Sequence, residues 1–273
     1  MLDQLAQLTG TVLTEDGKCP GGEVGAVYVR WPDGHRSVLT SQPPGNGQAA
    51  RQHDVLIAAG RAGGVPAPRY ELIAELPCAV AVVQELLPGS LPATVNRRTL
   101  DSMIEVNRCC RGLLAGRPDL PVPSLHLLTD GPGYCLHEPM ARYSRRTARL
   151  LAAIEEVGVS VPAHLDGDDL AHFDFHSGNV LVDGEGTVTG VVDWDRASRG
   201  NGDLDLFTLR FDLARRAPGL GRELGALLAG SVPEQTARVC WAHMSLRLVD
   251  WSIREHAAAE VTAWLDIAES LQP

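Results

Sequence analysis

Two short runs hold the residues best suited to chemistry: HFDFHSGNVLV at 172–182 and VVDWD at 191–195. They set two carboxylates and a carboxamide, Asp174, Asn179 and Asp193, at spacings that suit phosphoryl transfer. In that reaction an Asp takes the proton of the attacking hydroxyl, an Asn five residues later holds Mg²⁺, and an Asp on a following strand holds the metal between nucleotide phosphates. Those roles fall on Asp174 as catalytic base and on Asn179 and Asp193 as metal ligands. NVLVD, GEG and TVTGVVDW read as a hairpin on their own pattern. With Val182 opposite Thr187 across the turn, Asn179 and Asp193 reach the same open end. Mg²⁺ takes oxygen ligands and keeps waters and phosphate oxygens, so two protein ligands suffice. A base placed as Asp174 is typically worth about 10² to 10⁴ in rate. One Asp or Asn at a strand end is more often a cap or a turn former; the conjunction of all three with the hairpin carries the inference.

These residues need a scaffold, and the pattern changes character along the chain. Residues 24–31 (VGAVYVRW), the turn PDG and the return HRSVLTS predict a hairpin, preceded by the glycine-containing loop KCPGGEVG at 18–25. Gln48 to Ala62 reads as a helix stopped by Gly63, Gly64 and two prolines, and RYELIAEL and CAVAVVQELL read as strands. LLPGSLP at 86–92 is a hinge. Beyond it the period turns helical at 97–116 and 145–158, and three or four helices close the chain from Asp203. The division expected is a lobe over 1–86 and a second over 87–273.

At 273 residues, with 44% hydrophobic and 21% charged content, the chain can bury a full core. No leader-like start and no bilayer-length apolar run occurs, so a cytoplasmic protein with no membrane partner is expected. The net charge of -10 repels nucleic acid and suits a cationic ligand. Six cysteines without CxxC spacing read as free thiols. Of 24 basic residues only Lys18 is a lysine.

The catalytic run HFDFHSGN, the strand VDWD and the later GNGDLDLFTL at 200–209 resemble the aminoglycoside phosphotransferase family, relatives of protein kinases that also include choline and homoserine kinases. The resemblance implies an α+β, bilobal protein-kinase-like fold with a small antiparallel-sheet N-lobe and a larger helical C-lobe. It implies ATP or GTP as phosphate donor, Mg²⁺ as cofactor, and a small-molecule hydroxyl as acceptor. Asp174 then corresponds to the family's base, Asn179 and Asp193 to its metal ligands, and Asp205 to the residue that steadies the catalytic loop. His172 is read as structural support; His176 touches phosphate or substrate, or fills the turn. VVQELLPG at 82–89 resembles the family's hinge, with Glu85 and Leu87 offering backbone groups to the nucleotide base and Gln84 lining the back of its pocket. Gly22, in the glycine loop, is the expected phosphate cover.

Two departures stand out. The strand that ends in a phosphate-contacting lysine in the kinase pattern reads RSVLT here, so Thr40 takes the lysine's place, and no Glu lies between Glu23 and Glu71 to pair with it. Either the chain is a pseudokinase that binds a ligand without turnover, or another cation has taken over the phosphates: Lys18, with Arg36 and Arg51 as competitors. A true contact of that kind is worth roughly tenfold to a hundredfold in nucleotide use.

For the acceptor, HLDGDDL at 164–170 places Asp166, Asp168 and Asp169 just ahead of Asp174, and the last helices add Asp250, Glu255, Glu260 and Asp266. Clustered carboxylates attract amines. Asp166, Asp169, His176 and Asp250 are therefore the candidate substrate-binding residues. Within the family this acidity fits a cationic antibiotic, an aminoglycoside or a basic cyclic peptide of the viomycin and capreomycin type, with a choline- or homoserine-type metabolite as the alternative.

Overall fold

A computed structural model describes residues 1–19 and 25–273. The N-terminal elements are α1 (Leu2–Thr9), β1 (Thr14–Lys18), β2 (Val27–Arg30), β3 (Arg36–Gln42), α2 (Gly47–Ala62), β4 (Tyr70–Leu76) and β5 (Ala79–Glu85). Their five strands form one antiparallel sheet in the order β1-β2-β3-β5-β4. The β2–β3 turn closes as the PDG tripeptide requires, with Gly34 at φ 93 and its N–H on the Trp31 carbonyl.

Side chains alternate between the two sides of a strand and cross-strand partners share a side, so the register assigns each face its task. Leu39, Ala74, Leu76, Ala81 and Val83 pack with Leu5 of α1 and with Leu13 and Val29, forming the outer face. Val80 and Val82 turn the other way onto Ala50 of α2, and their partners Gln42 and Thr40 share that inner face. Gln84 pairs with Val38 and lies on the inner face too.

The remainder comprises α3 (Arg97–Cys109), α4 (His137–Tyr143), α5 (Arg145–Val159), β6 (Asp169–Ala171), β7 (Val180–Val182), β8 (Val188–Val191), β9 (Ser198–Gly200), α6 (Asp203–Arg216), α7 (Pro218–Ser231), α8 (Glu234–Glu255) and α9 (Ala258–Ser270). Its core is built around α6 and α8, with Phe207, Phe211 and Trp241 fully buried. α3 starts where Asn96 accepts from Thr99 N, and α5 starts at a capping box made by Ser144 and Thr147.

Two local expectations needed revision. The helix read over 97–116 stops at Cys109, because the chain turns to give the Cys110 carbonyl to Leu170 N and Leu114 N to the Asp168 carbonyl, anchoring β6. In the catalytic hairpin Val182 faces Val188 rather than Thr187. Asp183 accepts from both Glu185 N and Thr187 N, which tightens the turn and shifts the register. All six cysteines are free. No helix among the described residues is long and apolar enough to cross a membrane.

Candidate active site

The loop 172–179 joins β6 to β7 and is held from beneath by α6. Asp205, 2% exposed, accepts from His172 N and Phe173 N, both at 2.8 Å. Phe173 adopts φ 62, a left-handed conformation that a bulky residue enters at a cost of about 1–2 kcal/mol. The two bonds to Asp205 offset that cost and fix the direction in which the next residue, Asp174, leaves the loop. Burial pushes the Asp205 carboxyl up to about 7 against the opposing pull of those two N–H donors. His172 is buried, gives its Nε2 to the Val192 carbonyl at 2.9 Å and packs against Trp194. Burial drives its pKa down to about 4, so the ring is neutral at physiological pH.

Asp174 meets a partner that the sequence pattern did not reveal. Arg247 of α8, 8% exposed, donates to the Phe173 carbonyl at 2.7 Å and to Asp174 Oδ1 at 3.1 Å. Burial raises the Asp174 pKa, but Arg247, His176, His172 and Arg196 together outweigh it, and the carboxyl lies below its ordinary value. The base is therefore ionised. Arg196 lies within electrostatic reach of both Asp174 and Asp193 and has no hydrogen bond or ion pair among the described residues.

Asn179 donates its Nδ2 to the Asp174 carbonyl, which leaves its Oδ1 for a cation. Its own carbonyl accepts from Val192 N at 2.9 Å, so the hairpin brings Asn179 to the residue before Asp193. Asp193 opens the turn Trp194–Arg196 in the left-handed conformation, φ 64, and its carboxylate has no partner among the described residues. Burial, then Asp195, then Asp174 push its pKa up to about 6, the mark of an uncompensated negative site. A hard oxygen pair with unbalanced charge fits Mg²⁺, which needs few protein ligands. No group of three or more His, Cys, Asp and Glu among the described residues forms a closed metal cage.

The remaining sequence candidates are distributed as follows. Gln84 is on the inner face of β5. Glu85 gives its side chain to Arg61 and to Arg69 N, and its N–H to the Arg69 carbonyl. The Leu87 N–H has no partner among the described residues. Gly22 lies within 20–24, outside the described residues.

Lys18 is a correction. The bulge at Gly17, φ 105, reverses the alternation of β1, so Lys18 stands opposite Val27 on the outer face, away from Thr40 and α2. Arg36 is held by Asp16 and stacks on Tyr28, and Arg51 pairs with Glu75.

The acidic candidates also divide. Asp166 is exposed. Asp169 is not an open carboxylate: its oxygens accept from Gly112 N and Gly202 N at 2.8 Å, tying β6 to the start of α6. Asp250 is fully buried, accepts from Leu136 N and pairs with Arg254. Asp169 and Asp250 are thus consumed by local structure. His176 accepts from Gly178 N and so closes the turn beneath Asn179.

Sequence reasoning missed Gln42, His53, Arg196 and Arg247. A signal existed for Arg247 alone, a charged residue inside the apolar run of α8.

Comparison with known proteins fits this geometry. The model of the phosphotransferase enzyme family matches residues 19–239. No curated relative matches the sequence. Among solved structures, the chain is similar to a thermostable mutant of aminoglycoside phosphotransferase APH(4)-Ia bound to ADP and hygromycin B, at 16% identity and TM-score 0.70, covering 99% of this chain and 97% of that one. The macrolide 2'-phosphotransferase MphH from Brachybacterium faecium aligns at 21% identity and TM-score 0.56, over 98% and 97% of the two chains. The amicoumacin kinase hAmiN, in complex with AMP-PNP, Ca²⁺ and Ami, aligns at 13% identity and TM-score 0.66, over 96% and 90%. With a protein-kinase-like α+β fold and a family match over most of its length, the chain belongs to the phosphotransferase enzyme family and is a small-molecule kinase.

Proposed function

We propose that the chain transfers the γ-phosphoryl group of ATP or GTP, with Mg²⁺, to a hydroxyl of a small cationic antibiotic and so protects the cell in whose cytoplasm it works. The observation that carries the reading is Asp174, ionised and fixed by Arg247 at the mouth of the Asn179–Asp193 pair. Asp174 takes the acceptor's proton as the hydroxyl oxygen forms its bond to the γ-phosphorus and the bond to the leaving nucleoside diphosphate breaks. Mg²⁺ held by Asn179 and Asp193 would supply charge neutralisation on the phosphate oxygens. Little else is asked of the protein, because positioning and electrostatics supply most of the acceleration in this reaction class. Leu87 N–H, with the hinge, would meet the nucleotide base.

Neighbours of the same fold are named for hygromycin B, macrolides and amicoumacin, chemically diverse antibiotics that support the substrate class and not one compound. A cationic acceptor is favoured by the net charge of -10 and by exposed carboxylates such as Asp166 and Glu255. Asp169 and Asp250 contribute only if their internal bonds open.

The rival reading, a binding protein without turnover, draws on the missing lysine and glutamate. A chain freed from catalysis has no need of a buried arginine that keeps Asp174 charged, and that weighs against it. The test is transfer of labelled γ-phosphate from ATP and from GTP to aminoglycosides, viomycin, capreomycin, macrolides, choline and homoserine. Transfer to an antibiotic that disappears in Asp174→Asn supports the proposal, and transfer to choline or homoserine alone replaces it with a metabolite kinase.

A further inference from the structure

The absent lysine and glutamate leave the inner face of the sheet without the ion pair that in a kinase joins this strand to the following helix and orients the lysine on the phosphates. Thr40, at the lysine's place, is too short to reach across, and its hydroxyl turns back to the Val82 carbonyl at 3.5 Å. The next inner-face residue along β3 is Gln42, only 9% exposed. Its Nε2 donates at 2.9 Å to Asp195 Oδ1, across a separation of 153 residues. Asp195 belongs to the turn that Asp193 opens, and that turn is stiff. Trp194 is 2% exposed with its Nε1 on the Val191 carbonyl, and Ala197 N closes onto the Trp194 carbonyl.

Helix α2 packs against the same turn. It presents His53, whose Nδ1 is buried without a hydrogen-bond partner among the described residues and which lies within electrostatic reach of Asp195. A glutamine amide from the sheet therefore holds a carboxylate two residues from the candidate metal ligand.

We propose that Gln42 and Asp195 form a lobe-coupling latch that ties the inner face of the sheet to the turn and positions Asp193 for the metal–nucleotide complex. The inference rests on the reading of the site as a Mg²⁺-nucleotide site. Gln42 is a positioning residue: it acts through Asp195 and the turn. The latch differs from the usual pair in sign. An amide fixes Asp195 without adding a positive charge, so the two carboxylates of the turn remain to be balanced by the cation that arrives with the nucleotide.

The test measures binding of Mg²⁺–AMP-PNP to the full chain by calorimetry, for the wild type, Gln42→Met, Asp195→Ala and the double variant. A hydrogen bond to a charged group is worth about tenfold to a hundredfold in an equilibrium constant. Each single variant is expected to weaken binding by at least about tenfold, the double variant no further than the weaker single, because both remove one interaction. Gln42→Lys, which can pair with Asp195 as an ion, should bind at least as tightly as the wild type; a merely structural role for Gln42 predicts no such rescue. If Gln42→Met does not fold, Gln42→Glu keeps the length, sets a carboxylate against Asp195, and should show the same loss. Unchanged affinity in the Gln42 variants, or losses that add in the double variant, would overturn the latch while leaving the nucleotide site intact. Absence of Mg²⁺–AMP-PNP binding by the wild-type chain would remove both the site reading and the latch.

Discussion

Replacing Arg247 by methionine separates the two forces that set the charge of Asp174. The guanidinium is 8% exposed and holds the Phe173 carbonyl at 2.7 Å and Asp174 Oδ1 at 3.1 Å. Breaking a fully buried pair costs about 3–5 kcal/mol. The Asp174 side chain keeps 26% of its exposure, so water reclaims part of that, and a stability loss of about 2–3 kcal/mol is the working expectation. The larger effect is on the base. Burial raises the Asp174 pKa and Arg247 is the foremost group opposing it, so without Arg247 the pKa moves upward. Protonated Asp174 cannot take the acceptor's proton, and the acid limb of kcat/KM against pH must therefore move to higher pH. At the pH optimum, loss of one charge-assisted hydrogen bond that orients the carboxylate should lower kcat by about tenfold to a hundredfold. Arg247→Lys restores a positive charge but not two donors in a fixed fork, so its acid limb should lie between the other two. The assay is steady-state phosphoryl transfer across pH, with unfolding curves beside it. An acid limb that stays in place or moves to lower pH in Arg247→Met would refute the reasoning.

Further outcomes follow from individual residues. Asp205→Ala removes both donors' acceptor beneath the strained Phe173, and chemical denaturation should show a loss of about 3 kcal/mol or more together with a fall in kcat. His243, buried with Nδ1 on the Leu125 carbonyl, has a pKa that burial lowers to about 3. The unfolded chain binds its proton first, so stability is full above about pH 6.5 and falls as the pH drops toward 3, by at most about 1.4 kcal/mol per pH unit from this group. His243→Gln should flatten that slope in acid unfolding curves. Lys18→Ala, on the outer face, should change Mg²⁺–nucleotide affinity by no more than about twofold in calorimetry. Ser144→Ala breaks the α5 capping box and should lower the melting midpoint through a loss of about 1 kcal/mol.

Local spacing made the core of the site legible. Asn179 and Asp193 had to share an end because a hairpin joins them, and the bond from Val192 N to the Asn179 carbonyl realises that geometry despite the register shift at Val188. The sheet was readable for the same reason, since turns and alternation are near-neighbour properties. Partners that come from far along the chain were not. Arg247 reaches Asp174 over 73 residues and Gln42 reaches Asp195 over 153, distances at which no periodicity carries information. Lys18 was read as a loop residue, whereas the structure makes it the last residue of β1, set opposite Val27 by the bulge at Gly17. Asp169 and Asp250 read as open charges because a carboxylate's sequence context does not reveal which backbone N–H groups will fold onto it.

The most direct test of the central claim is single-turnover transfer of labelled γ-phosphate with Mg²⁺ by the wild-type chain and by Asp174→Asn, on the antibiotic panel with either nucleotide. Product formation by the wild type, with loss of at least about 10²-fold in the variant at unchanged nucleotide affinity, is the predicted result. Equal rates in the two proteins, or nucleotide binding by the wild type with no transfer to any acceptor, would contradict the assignment of Asp174 as the base of a working phosphotransferase.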